Sequence, residues 1–179
     1  MTSFALIVDS NGNGTGSHKW SDTASMVLAP NEVECTPAQA QNPLMYCVVN
    51  GVITESLPAA KAEQIALLQS SYKSAINAPV TFTNAAGVTS TYPSGDTILI
   101  NGMRAKDLLA EVIAAGEAAW TLGKWLDTNN VAQTFTFADL QGLAAAMEAA
   151  VTTDWTDLVA KIAQVNAATT VAEVQSITF

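Results

Sequence analysis

With 179 residues, 49% of them hydrophobic, the chain has apolar material for one ordinary domain or two small ones, which excludes a disordered polymer. It carries 7 basic and 16 acidic residues, a net charge of −9 and a sequence pI near 4.3. That balance excludes a phosphate-backbone binder, which needs clustered Lys and Arg, and describes an acidic, well-solvated surface.

The opening MTSFALIVDS lacks a basic leader region, and its apolar run is too short for a signal peptide or a membrane span. Synthesis and folding in a cytoplasm are therefore expected. FALIVD reads as a strand. SNGNGTGSHKW, residues 10–20, follows with Gly12, Gly14 and Gly16 at every second position. A Walker loop needs Gly-Lys-Ser/Thr, but Lys19 follows His18 and precedes Trp20. A dinucleotide loop needs Gly-x-Gly-x-x-Gly opening a helix, and no helical pattern starts at Ser17. The stretch is expected to be a mobile hairpin loop, with residues 24–30 as the strand closing a wide hairpin over it.

Thr36 with Pro37 signals a short helix start before Asn42-Pro43. MYCVVNGVITES then gives two β-rich runs around Asn50-Gly51, the pair suited to a type I′ turn. Residues 57–77 read as an amphipathic helix with Ile65, Leu68, Tyr72 and Ile76 on one face, stopped by Pro79. A second hairpin covers residues 79–93 around a turn at 84–87. The next helix shows Leu108, Leu109, Val112, Ile113, Gly116 and Trp120 on one face, with Asp96 or Asn101 as its N-cap. A third hairpin turns at residues 127–130. Thr136 and Asp139 form a capping-box pattern before a helix bearing Phe137, Leu140, Leu143 and Met147. Two further helices are expected, one after Thr153 and a short one after the Thr170…Glu173 box.

Short antiparallel hairpins alternating with helices, and a helical C-terminus, define an α+β class. The expected organisation is a β-rich part over 1–56, a connecting helix over 57–78 and an α+β domain over 79–179. Alanine-rich packing is expected to hang on a few large residues, notably the four Trp and five Phe.

No catalytic constellation emerges from these residues. His18 is the single imidazole, and with only Cys35 and Cys47 the material for a four-ligand zinc site is missing. Both cysteines are expected to be reduced and partly buried, although spacing leaves a disulfide open. The Asn-rich stretches 9–14 and 127–130 lack the closing Glu of a calcium loop and read as turns. Glu111, Glu117, Asp127 and Asp139, near Trp120 and Trp125, are the candidates if paired carboxylates hydrolyse a glycan. Helix-surface acids beside core tryptophans are the commoner arrangement. No cofactor or metal is expected.

Two stretches carry a resemblance. VECTPAQAQNPLMYCVVNGVITES (33–56) resembles the N-terminal part of tail-fibre-assembly-type proteins of tailed bacteriophages. PVTFTNAAGVTSTYPSGDTILINGM (79–103) and AAWTLGKWLDTNNVAQTFTFADLQGLAAAMEAA (118–150) resemble the C-terminal domain of phage tail and tail-fibre-associated proteins. That domain combines a Thr-Phe-Thr…Ala-Ala-Gly-Val-Thr hairpin, a middle helix, a Trp-bearing hairpin and a Leu-Gln-x-Leu helix. The resemblance implies a non-enzymatic tail component of the fibre or baseplate region, in the virion after assembly in the host cytoplasm. Its partners would be other tail proteins, the tail fibre above all, in several symmetric copies, with neither nucleic acid nor membrane. The alternative is a fibre-assembly chaperone absent from the particle. Phe4, Leu6 and Val8 mark a candidate docking strand, whose other role is pairing inside its own sheet.

Overall fold

The computed structural model describes residues 2–20, 27–99 and 101–179. It is an α+β protein. The chain separates into two compact units, residues 1–67 with 161–178, and residues 68–160 with Phe179.

In the first unit, β1 (Ser3–Val8) is paired antiparallel with β2 (Gly14–Trp20) on one side and with β3 (Glu32–Cys35) on the other. Ala5 and Leu6, adjacent and so on opposite faces, are both fully buried. The short helix α1 (Pro37–Gln41) packs on β1 and β2. Its start is the expected one: Thr36 accepts from the Gln39 N–H, Gln39 accepts from the Thr36 N–H, and Pro37 occupies the first turn. A 3-10 turn (Pro43–Met45) leads into the hairpin β4 (Tyr46–Val49) and β5 (Val52–Glu55), whose turn is the expected Asn50-Gly51 pair, φ +52° and +79°. The first half of α2 (Leu57–Ala75) belongs here, with the end of α4 (Phe137–Ala167) and α5 (Val171–Ser176). The Lys61 ammonium donates to the Asn166 carbonyl at 2.7 Å, and the Gln64 amide to that of Ile177 at 2.7 Å. The Thr170–Glu173 capping box opens α5 as the sequence indicates.

The glycine stretch departs from expectation. Only residues 9–13 turn; Gly14–Trp20 is strand, paired to β1 along its length. The glycines serve close approach. Gly12 has φ +81°, and a Cβ there would lie 2.6 Å from the Val48 carbonyl oxygen. A Cβ on Gly14 would run into the Pro43 carbonyl oxygen. The strand expected over residues 24–30 falls partly on 21–26, outside the described residues, and 27–30 carry no strand.

The second unit holds the hairpins β6 (Val80–Thr83)–β7 (Thr89–Tyr92) and β8 (Lys124–Leu126)–β9 (Ala132–Thr134), with α3 (Ala105–Ala115) and most of α4. Both turns sit where the sequence places them, over 84–87 and 127–130. Tyr92, Leu109, Trp125, Phe135, Leu140, Leu143 and Met147 form the buried core. Gly142 lets α4 close on the β6–β7 hairpin, since a Cβ there would meet the Phe82 ring at 2.9 Å.

Three helix expectations are corrected. α3 ends at Ala115, because Gly116 (φ +86°) caps it and a 3-10 turn (Glu117–Ala119) intervenes before Trp120. Neither Asp96 nor Asn101 caps its start, which is Arg104; Asp96 pairs with Lys106 at 2.6 Å, and Asn101 accepts from the Met103 N–H. No new helix begins after Thr153. α4 runs unbroken through it, because the Thr153 and Thr156 hydroxyls donate back to the Ala149 and Thr152 carbonyls instead of capping.

The two glycines of β2 separate steric need from composition. Gly14→Ala is expected to destabilise the first unit by about 1–3 kcal/mol through overpacking. Gly16→Ala, whose Cβ would meet only the Ile7 side chain at 3.6 Å, is expected to stay near wild type. Urea unfolding of the two variants reads the difference.

Candidate functional site

The hairpin turns of the second unit bring the nominated carboxylates into focus. Asp127 opens the β8–β9 turn, and both of its oxygens are engaged. Oδ1 accepts from the Asn129 and Val131 N–H groups at 2.9 Å, and Oδ2 from the Ser90 hydroxyl at 2.9 Å and the Gln133 amide at 3.1 Å. Ser90 lies on β7, so this carboxylate ties one hairpin to the other. Asp139, in the first turn of α4, completes the expected capping box with Thr136. Its second oxygen accepts from the Ala85 N–H at 2.8 Å, in the β6–β7 turn. Asn84 finishes the brace: its amide donates to the Thr134 carbonyl at 2.9 Å and its oxygen accepts from the Val88 N–H. All three side chains are buried, none more than 6% exposed.

The electrostatics follow. The Val131 N–H, then Gln133, Ser90 and Asn129, hold the Asp127 carboxyl below its ordinary value against the opposing effect of burial. For Asp139 burial is the largest single influence and acts upward. The Thr136 N–H and hydroxyl and the Ala85 N–H together outweigh it and leave the carboxyl lowered. Both groups are therefore ionised at neutral pH, with neither oxygen free. Neither holds the proton a general acid must give. Glu111 and Glu117 are exposed, on α3 and in the 3-10 turn after it. Tyr92 lies under the brace with its hydroxyl buried and without a hydrogen-bond partner among the described residues; burial, then Asp127 and Asp139, raise its pKa.

The other nominated residues sit elsewhere. His18 is on β2, its Nδ1 3.0 Å from Glu32 Oε1 and its ring tilted 31° against that of Trp20, 4.1 Å between centroids. Glu32 is held below its ordinary value by the Ala29 N–H and then by His18. Cys35 and Cys47 are free thiols, half-buried, and burial raises that of Cys35. Among the described residues no cluster of His, Cys, Asp and Glu could hold a metal ion. Phe4, Leu6 and Val8 have no open edge to offer: β1 is the central strand of its sheet, hydrogen-bonded on both sides. The strand takes the other role open to it, pairing inside its own sheet, and a free pairing edge must be sought elsewhere.

Two surfaces escaped the sequence. One is a groove of about 480 Å³ between α3 and α4, floored by Leu109, Ala144, Met147 and Val151 and flanked by Lys106 and Glu148. The other is a display of apolar side chains at hairpin ends. Val49 and Val52 face each other across the last pair of the β4–β5 ladder, 53% and 61% exposed. Leu122 and Val131, beside the β8–β9 hairpin, are 72% and 52% exposed. The valines were legible only as strand formers; nothing in alternation alone marks which strand end stays uncovered.

No family model, curated protein or solved structure matches the chain. Among the described residues no helix is long and apolar enough to cross a membrane.

Asp127 and Asp139 make a pH prediction whose sign is fixed by their lowered values. Their stabilisation is complete above the ordinary carboxyl value of 3.8 and is lost as pH falls through the lower folded values. Melting followed by tryptophan near-UV signal is expected to show a steep loss below that pH, made shallower in Asp127→Asn and Asp139→Asn. At neutral pH, Asp139→Ala is expected to cost about 1–3 kcal/mol, because it leaves the Ala85 and Thr136 N–H groups unpaired.

Proposed function

We propose that this chain is a non-enzymatic structural component of a phage tail, at the fibre or baseplate, that anchors or bridges larger tail proteins. The observation that carries the reading is the valine pair at the end of the β4–β5 hairpin. Val49 and Val52 are held by a positive-φ turn and show most of their surface to water. Displaying two β-branched apolar side chains on an ordered turn forgoes burial free energy that a partner restores. The resemblance of residues 33–56, 79–103 and 118–150 to tail and tail-fibre-associated proteins supplies the kind of partner. Two of the four candidate carboxylates, Asp127 and Asp139, are occupied in holding hairpins in place, which suits a part whose work is to present surfaces. Several copies in a symmetric assembly, loaded from the host cytoplasm, fit this role.

Mass spectrometry of purified particles from a phage that encodes the chain tests the reading. The chain is expected in the particle, in a fixed ratio to the fibre or baseplate proteins. A chain abundant in infected lysate and missing from particles would make it an assembly chaperone instead. Val49→Ser with Val52→Ser is expected to lower incorporation at least about tenfold, the effect of losing roughly 1.4 kcal/mol of contact. The melting temperature of the isolated protein should change little.

A further inference from the structure

Four Asn-Gly pairs occur in the chain, at residues 11–12, 13–14, 50–51 and 101–102. Asn-Gly is the sequence most open to self-modification, because a following glycine puts no side chain between its own amide nitrogen and the asparagine carboxamide. The structure treats the four pairs differently. Gly12 N–H donates to the Asp9 carbonyl at 3.0 Å. The Asn13 carboxamide is held by the Asp9 carboxylate at 3.1 Å, and Gly14 is buried against the backbone at Pro43. Gly102 N–H donates to the Leu99 carbonyl at 2.8 Å, and Asn101 Oδ1 accepts from the Met103 N–H at 3.1 Å. In each of these three the nucleophile, the electrophile or both are tied down.

Asn50-Gly51 is different. Both residues are exposed, and among the described residues neither the Asn50 carboxamide nor the Gly51 N–H has a hydrogen-bond partner. Beyond the adjoining turn residues, no atom lies within 4 Å of where a Gly51 Cβ would stand, so no other part of the chain crowds the turn. The ladder behind it is four pairs long. Such a short hairpin end opens at little cost.

We propose that Asn50 is a site of spontaneous modification, converted by attack of the Gly51 amide nitrogen on its side chain into aspartate and isoaspartate. The Gly51 nitrogen gives up its proton and bonds to Asn50 Cγ; the Cγ–Nδ2 bond breaks and ammonia leaves, closing a succinimide. Water then opens either carbonyl of the ring, and no electron is gained or lost overall. Opening at the side-chain carbonyl yields an ordinary aspartate in place of Asn50. Opening at the backbone carbonyl yields isoaspartate, which adds a carbon to the main chain. Both products add one negative charge beside Val49 and Val52. The longer backbone cannot keep the two-residue turn that sets those valines opposite each other. The end of β4–β5 thus carries a chemical clock, and this holds whether or not the hairpin is a docking point.

Peptide mapping of the purified full-length chain, incubated in mildly alkaline buffer, provides the test. The peptide containing Asn50 is expected to accumulate aspartate and isoaspartate about tenfold faster than those containing Asn11, Asn13 or Asn101. That is the ratio expected when the others must first break one hydrogen bond. In concentrated urea the four rates should converge, since the difference lies in the fold. Asn50→Gly keeps a residue that accepts the turn and should remove the fast acidic species. An equal or faster rate at Asn11, Asn13 or Asn101 in the folded chain would overturn the proposal. So would an undiminished acidic species in Asn50→Gly.

Discussion

Two carboxylates withdrawn from water hold the second unit in its form. A two-stranded hairpin is marginal by itself, and β6–β7 and β8–β9 are both of that kind. No continuous ladder joins them: Asp127 reaches Ser90 on β7, Asn84 reaches Thr134 on β9, and the Thr128 N–H donates to the Thr91 carbonyl at 2.9 Å, while Asp139 ties the start of α4 to Ala85. Burying a carboxylate is costly unless each oxygen is met by donors. Here every oxygen has at least one, mostly backbone N–H groups that turns would otherwise leave unpaired. The turn geometry and the charge therefore support each other: either would be unfavourable alone.

This arrangement accounts for two of the acids near the tryptophans, since Asp127 and Asp139 each spend both oxygens on turn and cap donors. The tryptophans are part of the same construction. Trp120 donates its indole N–H to the Phe135 carbonyl at 2.9 Å and packs against Trp125, 6.2 Å between rings. Phe82, Tyr92 and Phe135 form an aromatic layer with ring separations of 5.2–6.5 Å, and Gly142 admits the Phe82 ring edge to the surface of α4. Thin alanine-rich helices need such large residues to fill the space between them. The polar brace then sets the depth at which the hairpins sit on that layer.

Much of this was legible from local chemistry. Thr36-Pro37, Thr136…Asp139 and Thr170…Glu173 announced helix starts, and Asn50-Gly51, the turn at 84–87 and that at 127–130 announced hairpins. Each rests on interactions within a few residues, which composition and spacing report directly. The failures were of longer reach. Gly14 and Gly16 looked like a loop because glycine disfavours strands, yet β1 recruits them and Pro43, far along the chain, requires Gly14 to be small. The strand containing Phe4, Leu6 and Val8 was correct as an element, but its central place depends on β3, which alternation could not assign. Thr153 looked like a cap because a hydroxyl that donates back into its own helix has the same local sequence. Of the site, the acids were visible and their partners Ser90, Asn84 and Ala85 were not, since those bonds span 37 to 54 residues.

The most direct measurement is amide hydrogen exchange on the intact protein at neutral pH, resolved at Ala85, Val131 and Thr136. If buried carboxylates brace the hairpins, these three amides exchange only when the whole unit opens, as slowly as the core of α4, although Ala85 itself is surface-exposed. Rapid exchange at Ala85 and Val131, while the α4 core stays protected, would mean that the hairpins hold together without these carboxylates and that the carboxylates are not the brace.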